Sequence, residues 1–429
     1  MFKTLANAWK LPDLRKKMLF TVIILILYRI GCVLPVPYIN HSTIGAWFDS
    51  NTTGTVLSYF NILSGSSFSQ ATLFALSVSP YITASIVMQL LTIAIKPLEE
   101  LAKEGEEGQK KINQITRYVT VGLALITSYG YYVTLRNGGV ITNRSFFAGV
   151  VVVACHCAGA AMIMWMGEKI NEKGIGNGIS MILLVNIIAS FPSMLYPIRE
   201  LTKQGGIAMV ALYVGVAVLL VLVVAFIVFM TNSERRIPVQ YAKKVVGRKM
   251  YGGQSTYLPI KLDMSGVMPI IFANSILMLP QTIAMFFPAP AEGSFWYGFL
   301  RFFSAASFGY AILLLVLIIA FSYFYLSISF NPVEVANNLK KNGGFIPGVR
   351  PGRPTSDFIN KSLKKITLIG AFFLAIIAIL PMLVSALGVN LGSFTFGGTS
   401  LLIVVGVILE TKRDLESQIT MRHYKGFLG

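Results

Sequence analysis

The side chains that could do chemistry are few in this sequence, and they form no recognisable catalytic pattern. His41, His156 and His423 are the three histidines, and neither an HExxH nor a GxSxG motif occurs. Cys155 and Cys157 flank His156, but adjacent helical residues point about 100° apart and cannot meet at one ion. Three cysteines in apolar stretches also make no disulfide framework. We therefore expect no enzyme activity, no metal and no cofactor.

The glycine-rich string GIGNGIS (Gly174–Ser180) superficially resembles a nucleotide-binding loop. It follows no predicted strand and opens a long apolar segment, so it is a weak candidate for a nucleotide site. A GxxxxGK[ST] phosphate loop is also missing from the sequence. Any uphill transport must therefore draw energy from another subunit or from an ion gradient.

One charged residue and four amides lie inside apolar segments. Arg29 either reaches the outer membrane interface with its long side chain or faces a polar interior. Gln89, Asn186, Asn274 and Gln281 favour interior faces, where amides can hydrogen-bond between helices. Such amides are compatible with helix–helix contacts and with a substrate path.

These side chains lie in or beside segments that we predict to be transmembrane helices. The chain has 429 residues, of which 55% are hydrophobic and 13% are charged, and its mean hydropathy is +0.68. A soluble domain carries about 25% charged residues, whereas a membrane span needs roughly 20 apolar residues. We predict ten spans: Met18–Leu34, Leu73–Ile95, Tyr118–Leu135, Phe146–Met166, Gly178–Leu195, Ile207–Met230, Met264–Phe287, Phe303–Phe330, Ile366–Leu387 and Leu391–Leu409.

The distribution of basic residues orients these spans. With a cytosolic N-terminus, the inside segments contain 30 of the 36 lysines and arginines, and the outside loops contain 5. This bias is a strong positive-inside signal, so we predict that both termini are cytosolic. The net charge of +18 then faces anionic lipid or a soluble partner on the cytosolic side.

Two predicted cytosolic loops, 231–263 and 331–365, are much longer than ordinary helix connections. Both mix basic residues with aromatic and apolar ones, such as Tyr241, Tyr257 and Phe345. They are either solvated anchors of the positive-inside kind or, as we favour, a docking platform for a cytosolic partner.

The outside segment 60–74 is apolar, carries no lysine or arginine, and runs directly into the second span. A half-helix ahead of a full span is typical of proteins whose backbone lines an aqueous cavity. The alternative is an amphipathic helix lying on the outer leaflet. Ten spans also divide into an N-terminal half, 1–205, and a C-terminal half, 206–429, an arrangement that permits inverted pseudo-symmetry.

Several long strings resemble the bacterial SecY family in order and spacing over nearly the whole chain. They are PLEELAKEGEEGQKKINQITRY (Pro97–Tyr118), MWMGEKINEKGIGNGIS (Met164–Ser180), RRIPVQYAKK (Arg235–Lys244), QSTYLPIKLDMSGVMPIIFANSI (Gln254–Ile276), NPVEVANNLKKNGGFIPGVRPG (Asn331–Gly352) and FGGTSLLIVVGVILE (Phe396–Glu410). The resemblance implies an all-α polytopic membrane protein with the SecY fold. In that fold, ten transmembrane helices form two pseudo-symmetric five-helix halves around a protein-conducting channel.

The resemblance makes segment 60–74 a plug that closes the outer funnel. The plug residues that we expect are Phe60, Asn61, Leu63, Ser64, Gly65, Phe68 and Phe74. The string SGSSF (Ser64–Phe68) departs from the more usual SGGAL-like string of the family, so the packing of this plug cannot be carried over.

The resemblance also implies an apolar pore ring, which gates small ions by dewetting. The ring residues that we expect are Val78, Ile82, Leu183, Ile187, Ile271 and Ile403. Leu183 stands where isoleucine is common in the family, a change that conserves volume.

The contact between the second and seventh spans would be a lateral gate toward lipid, with Gln89 and Asn274 as candidate polar groups. The cytosolic loops would bind the SecA ATPase or a ribosome. The docking residues that we expect are Arg235, Arg236, Lys243, Lys244, Arg248, Lys249 and Arg350. Further implied partners are SecE- and SecG-like membrane subunits, signal peptides, unfolded secretory polypeptides and the bilayer, and DNA is not among them.

The sequence therefore favours a channel of the bacterial plasma membrane that passes secretory polypeptides and releases membrane segments sideways. The main alternative is a secondary transporter of a small solute with inverted repeats, which predicts charged or ion-coordinating residues near mid-membrane. An intramembrane enzyme would need a nucleophile–base pair or an acidic pair within the spans, and we identify none.

Overall fold

The computed structural model describes most of the chain. The described residues are 2–51, 56–204, 207–241, 244–246, 249–251, 255–262, 264, 266–284, 286–287, 293–304, 307–386 and 397–425. The helices are α1 (Phe2–Lys10), α2 (Pro12–Gly31), α3 (His41–Asn51), α4 (Val56–Leu63), α5 (Ser79–Ala94), α6 (Lys96–Lys103), α7 (Glu106–Asn137), α8 (Phe146–Lys173), α9 (Gly178–Gln204), α10 (Ile207–Asn232), α11 (Met268–Ala284), α12 (Phe295–Phe302), α13 (Phe308–Ser329), α14 (Pro332–Lys341), α15 (Arg353–Ala386) and α16 (Gly397–Lys425).

Each of the ten predicted spans overlaps one long helix, but several helices extend well beyond the apolar segment. Helix α7 begins at Glu106, and α15 begins at Arg353. Hydropathy detects only the part of a helix that lies in the hydrocarbon core, whereas the helix continues into water as long as its backbone hydrogen bonds are made. Of the described helices, three are individually long and apolar enough to cross a membrane. A fourth qualifies if α5 and α6, bent by 99°, count as one span, so the number ten stays a prediction.

The loops predicted to be long contain a small sheet, which the all-α expectation did not include. Strand β1 (Glu234–Tyr241) pairs antiparallel with β4 (Ser255–Lys261), and its far end pairs with β5 (Gly344–Phe345). A separate hairpin joins β2 (Lys244–Val246) and β3 (Lys249–Tyr251). Alternating burial along β1, with Ile237 and Val239 inside, gives it a strand period and not a helical one. The sheet therefore ties loop 231–263 to loop 331–365.

The main apolar core lies between helices of both predicted halves. Tyr28, Ile163 and Leu183 from the first half pack in one cluster with Leu277 and Ile403 from the second. Large apolar side chains also cover the outside of the helices: Phe146 is 88% exposed and Phe229 is 69% exposed. A water-soluble protein rarely exposes so much contiguous apolar surface, and a bilayer accounts for it.

The GIGNGIS string is a helix cap that docks against α16. The Asn177 Oδ1 atom accepts hydrogen bonds from the backbone N–H groups of Ile179 and Ser180, at 3.1 and 3.3 Å, so it caps α9. Gly176 has φ +73°, and its N–H donates to Asp414 Oδ2 at 3.1 Å. The glycines of this string therefore serve helix packing.

Candidate functional site

Segment 60–74, the expected plug, has mostly non-helical backbone. The helix predicted there ends at Leu63, and tight turns fill the residues up to Val78. Left-handed backbone at Gly65 (φ +65°), Ser66 (φ +71°) and Ala71 (φ +46°) cannot continue a helix. Ser66 adopts this conformation at the second glycine position of the SGGAL-like string, where a side chain costs conformational energy.

The amide of Asn186, in α9, holds the end of α4. Its Nδ2 donates to the carbonyl oxygen of Leu63 and to the hydroxyl of Tyr28, both at 2.7 Å, and lies 3.2 Å from Ser77 Oγ. The Ser77 hydroxyl donates to the same Leu63 carbonyl at 3.0 Å, and Ser190 donates to Ile62 O at 3.2 Å. Tyr28 and Asn186 are fully buried. The Leu63 carbonyl thus accepts from two side chains, and the Ile62 carbonyl accepts from Ser190 and from the backbone N–H of Gly65, at 3.1 Å.

Aromatic contacts and further hydroxyl groups fix the other side of the plug. The hydroxyl of Tyr131, in α7, donates to Phe68 O at 2.6 Å, and the two rings lie 4.6 Å apart. Within SGSSF, the Ser64 hydroxyl accepts from Phe68 N–H at 3.0 Å, and the Ser67 hydroxyl donates to Cys32 O at 3.4 Å. The departure from SGGAL thus adds a hydrogen bond from Ser67 to the end of the first span.

Two buried polar atoms without a hydrogen-bond partner flank Gly65: Arg29 Nη1 and Asn186 Oδ1. A Cβ atom at Gly65 would lie 2.6 Å from Arg29 Nη1 and 3.0 Å from Asn186 Oδ1. Arg29 therefore directs its guanidinium group toward the plug, which is the interior alternative of the sequence analysis. Gly65 is required here both for its positive φ and for this close approach.

The six residues of the expected pore ring are all buried and belong to one core cluster. Four of them, Ile82, Leu183, Ile271 and Ile403, line a cavity of about 200 Å³. Plug residues line the same cavity, among them Phe60, Leu63 and Phe68. The fold thus brings the ring positions and the plug to one apolar space.

This cavity extends to a seam where α5 and α7 face α11, against which α13 packs. Gln89, in α5, accepts a hydrogen bond at Oε1 from the hydroxyl of Tyr325, in α13, at 2.8 Å. Tyr129 and Phe286 stack across the seam with ring centroids 6.1 Å apart. Gln89 therefore makes a hydrogen bond across this seam, and its partner is in the eighth predicted span. Its role in a lateral gate stays a prediction.

Asn274, the second candidate for the gate, does not bond across the seam. Its Nδ2 donates to Ile270 O in its own helix at 3.0 Å, and its Oδ1 accepts from Tyr310 of α13 at 3.3 Å. Both partners lie in the predicted C-terminal half, so Asn274 contributes to helix–helix contact within that half. Gln281 likewise donates to Phe303 O, at 2.8 Å.

The expected docking residues that the structure describes lie on the surface. Arg235 and Arg236 are exposed on β1, and Arg236 Nε donates to Glu234 Oε1 at 2.8 Å. Arg350 is exposed between Gly348 (φ +81°) and Gly352 (φ +101°), and its carbonyl accepts from the Thr355 hydroxyl at 2.8 Å. Lys243 and Arg248 lie outside the described residues, as do the side chains of Lys244 and Lys249.

Helices α7 and α8 are joined by an ion pair. Arg117 Nε donates to Glu168 Oε1 at 2.7 Å, and this hydrogen bond raises the pKa of the Arg117 guanidinium group. Arg117 is half exposed, so the pair contributes little to stability.

The side chains that sequence reasoning missed are mainly hydroxyl groups: Tyr28, Ser77, Tyr131, Ser190 and Tyr325. A hydroxyl within an apolar span must find an acceptor, which is a usable signal for interior position. The sequence gives no signal for which acceptor each one meets.

Solved structures with the same fold are membrane channels. A structure described as a protein-conducting channel matches with a TM-score of 0.64 at 16% identity, over 94% of this chain and 92% of that one. A second, on the plug domain of the SecY protein, matches with a TM-score of 0.65 at 18% identity and with the same coverage. The channel of the canine ribosome-channel complex from the endoplasmic reticulum gives 0.61 at 16% identity, covering 94% and 92%. These matches show that the chain has the fold of these channel structures.

Comparison with known sequences shows the family to which the chain belongs. The SecY family model matches residues 72–412. The chain is 44% identical to the protein translocase subunit SecY of Streptomyces coelicolor and 42% identical to that of Mycobacterium tuberculosis, over the full length of each protein. The chain belongs to the SecY family, and nothing in these comparisons supports the small-solute transporter.

Proposed function

We propose that this chain is the central channel of a secretion translocase, and that segment 60–74 closes it. The observation that carries the proposal is the apolar cavity shared by the plug and four ring positions. Unfolded secretory polypeptides would pass through this space once the plug has moved.

The ring residues form the constriction in this proposal. Branched aliphatic side chains offer a passing ion no replacement for its water shell, so a narrow apolar passage excludes ions by dewetting. They also bind no particular sequence, because apolar contacts are not directional. The burial of Val78, Ile82, Leu183, Ile187, Ile271 and Ile403 in one cluster supports this role.

The plug is held closed by hydrogen bonds from Asn186, Ser77 and Tyr131 to backbone carbonyls. Displacing it toward the outer funnel exposes these carbonyls to water, which can replace the lost donors. Moving the plug into water should therefore cost less free energy than moving it into an apolar environment, where no donor replaces the lost ones.

The seam is the route for signal sequences and membrane segments into lipid. Residues 1–205 and 206–429 are two halves that separate along the contact of α5 and α7 with α11 and α13. An apolar helix arriving there gains burial in the lipid-facing slot without any catalyst. The Gln89–Tyr325 bond supports this location, since it is a polar contact between the halves.

The docking surface is the joined pair of cytosolic loops. The sheet that unites them presents Arg235, Arg236 and, on the following loop, Arg350. Basic side chains on a rigid element suit acidic protein surface or ribosomal RNA phosphate. We assign the SecA ATPase and the ribosome to this surface and include Lys243, Lys244, Arg248 and Lys249 in it. SecE- and SecG-like subunits complete the assembly.

The localisation that fits these roles is the bacterial plasma membrane, crossed many times, with both termini in the cytosol. The charge bias of 30 to 5 supports this orientation. The chain itself performs no chemical step in this proposal, and the energy of transport comes from its partner.

The test is reconstitution with SecE- and SecG-like subunits in liposomes, followed by addition of SecA, ATP and a labelled secretory precursor. We expect protease-protected precursor that depends on ATP and falls at least tenfold in Arg350→Glu. The matched control is Lys340→Glu, an equal charge reversal at an exposed residue of the same loop, which should keep most of the activity. Accumulation of a small solute without protected precursor would overturn the proposal.

A further inference from the structure

A groove of about 890 Å³ runs between α7 and α8, apart from the plug and the pore ring. On the α7 side it is lined by Val121, Leu125, Tyr129, Tyr132 and Arg136. These residues recur every three or four positions, so they form one continuous helix face. The groove therefore follows α7 for sixteen residues, whose fifteen helical steps span about 22 Å.

This length fits one lipid molecule. Half of a bilayer core is about 15 Å deep, and the headgroup adds several ångströms. The walls of the groove are apolar, with Val121 and Leu125 on the α7 side and Val150 and Val153 on the α8 side. Aliphatic walls of this length match an acyl chain that descends from the membrane surface.

Two arginines lie at the mouth of the groove. Arg136 is in the last turn of α7, and Arg144 is in the connection to α8. Both are exposed, and neither takes part in an ion pair within the described part of the chain. They are two of only five basic residues on the predicted outer side, where the positive-inside rule disfavours such residues.

An anion explains why both arginines occur at one mouth. Guanidinium groups bind phosphate oxygens with paired, charge-assisted hydrogen bonds. Two like charges at the edge of an apolar groove repel each other unless a negative group lies between them. Tyr129 and Tyr132, which line the groove beside them, are the side chains typical of the membrane interface.

We infer that the groove between α7 and α8 binds an anionic phospholipid of the outer leaflet. The phosphate group lies between Arg136 and Arg144, and one acyl chain lies along the apolar walls. Charge complementarity selects a phosphatidylglycerol-type headgroup over a zwitterionic one. The inference needs only that the chain lies in a bilayer, so it stands or falls apart from the channel function.

The native thiol of Cys157 gives a direct readout, because this residue lines the groove and is partly exposed. The full chain would be placed in nanodiscs with Cys157 as its only cysteine (Cys32→Ala, Cys155→Ala). Its rate of labelling by an apolar maleimide would be compared in phosphatidylcholine and in phosphatidylglycerol. A matched variant keeps Cys155, which does not line the groove, as its only cysteine.

We expect phosphatidylglycerol to slow labelling of Cys157 about fivefold and to leave that of Cys155 unchanged. Arg136→Gln with Arg144→Gln should abolish the protection, and the double lysine replacement should retain part of it. Arg301→Gln, at another exposed arginine on the predicted outer side, should change nothing. Inorganic phosphate in phosphatidylcholine nanodiscs should give no protection.

Three outcomes would overturn the inference. The first is equal labelling in both lipids, and the second is protection that survives removal of both arginines. The third is protection that appears only when another translocase subunit is present, because the groove would then bind a protein helix. Retention of the lipid in native mass spectra, compared between wild type and the double variant, checks the result independently of the thiol.

Discussion

The plug and the seam border the same cavity but are held by different kinds of contact. The plug is fastened by hydrogen bonds from Asn186, Ser77, Ser190 and Tyr131 to its backbone carbonyls. The seam consists mainly of apolar and aromatic contacts, with the Gln89–Tyr325 bond as its polar link among the described residues.

This difference matters because, in the proposed channel, the two regions would open toward different solvents. Lipid tails are as apolar as the side chains of the seam, so they can replace its contacts at little cost. Lipid cannot replace a donor to a buried carbonyl, whereas water can. In the proposed channel, the plug would therefore yield toward water and the seam toward lipid.

The largest effect is expected from Asn186→Leu. The change removes the donor to Leu63 O and Tyr28, and it should destabilise the closed plug by about 2 kcal/mol, or about thirtyfold in the open population. The measurement is chloride efflux from vesicles that contain the reconstituted chain.

Asn274→Leu is the matched control for this prediction. Asn274 is an equally buried amide, but it bonds within α11 and to Tyr310, away from the plug. Its efflux should stay near the wild-type rate. Equal efflux from both variants would mean that loosening any part of the core opens the channel.

Tyr131→Phe should have an intermediate effect. The ring keeps its contact with Phe68, but the hydrogen bond to Phe68 O is lost, at a cost of about 1 kcal/mol, or about fivefold in efflux. Tyr310→Phe loses a comparable hydroxyl outside the plug and serves as the control. An unchanged efflux rate in Tyr131→Phe would show that this hydrogen bond does not hold the plug closed.

A smaller effect is expected at the seam. Gln89→Leu should favour lateral opening by about 0.6 kcal/mol, the average for a hydrogen bond between membrane helices, or about threefold. The measurement is membrane insertion of a marginally apolar segment relative to its full translocation. Combining Gln89→Leu with Tyr325→Phe should add nothing further, and additive effects would contradict the direct bond.

The smallest effect is expected from Ser66→Gly, and its sign is opposite. Ser66 adopts a left-handed conformation that glycine adopts more easily, so the change should stabilise the closed plug by about 0.5 kcal/mol. Efflux should fall about twofold. Ser69→Gly, at a residue without positive φ, should not lower it, and an increase in Ser66→Gly would show that the serine side chain itself contributes to closure.

Much of the helical fold could be predicted because membrane solvation acts on each segment locally. Twenty apolar residues reveal a span such as Phe146–Met166 whatever its neighbours are. The sheet could not be predicted in this way, since β1 depends on pairing with residues of β4 and of β5, about one hundred positions away in the second case. The end of α4 at Leu63 depends on backbone strain that composition does not encode.

The site was predictable where a residue type is unusual for its surroundings. Gln89 and Asn186 stand out in apolar spans, and both prove to bond between helices. Asn274 is likewise an amide in an apolar span, but it bonds to Ile270 and Tyr310 and not across the seam, because an amide alone does not select its partner. The roles of the pore ring and of Arg350 rest on family resemblance and stay predictions.

The most direct test of whether the plug and the seam are held separately is chloride efflux from vesicles that contain Asn186→Leu or Gln89→Leu, prepared in the same way. We expect the chloride efflux rate to rise about thirtyfold over wild type for Asn186→Leu and to change little for Gln89→Leu, because separate contacts hold the two regions. An equal or larger leak in Gln89→Leu would mean that the seam, and not the hydrogen bonds that hold the plug, seals the channel.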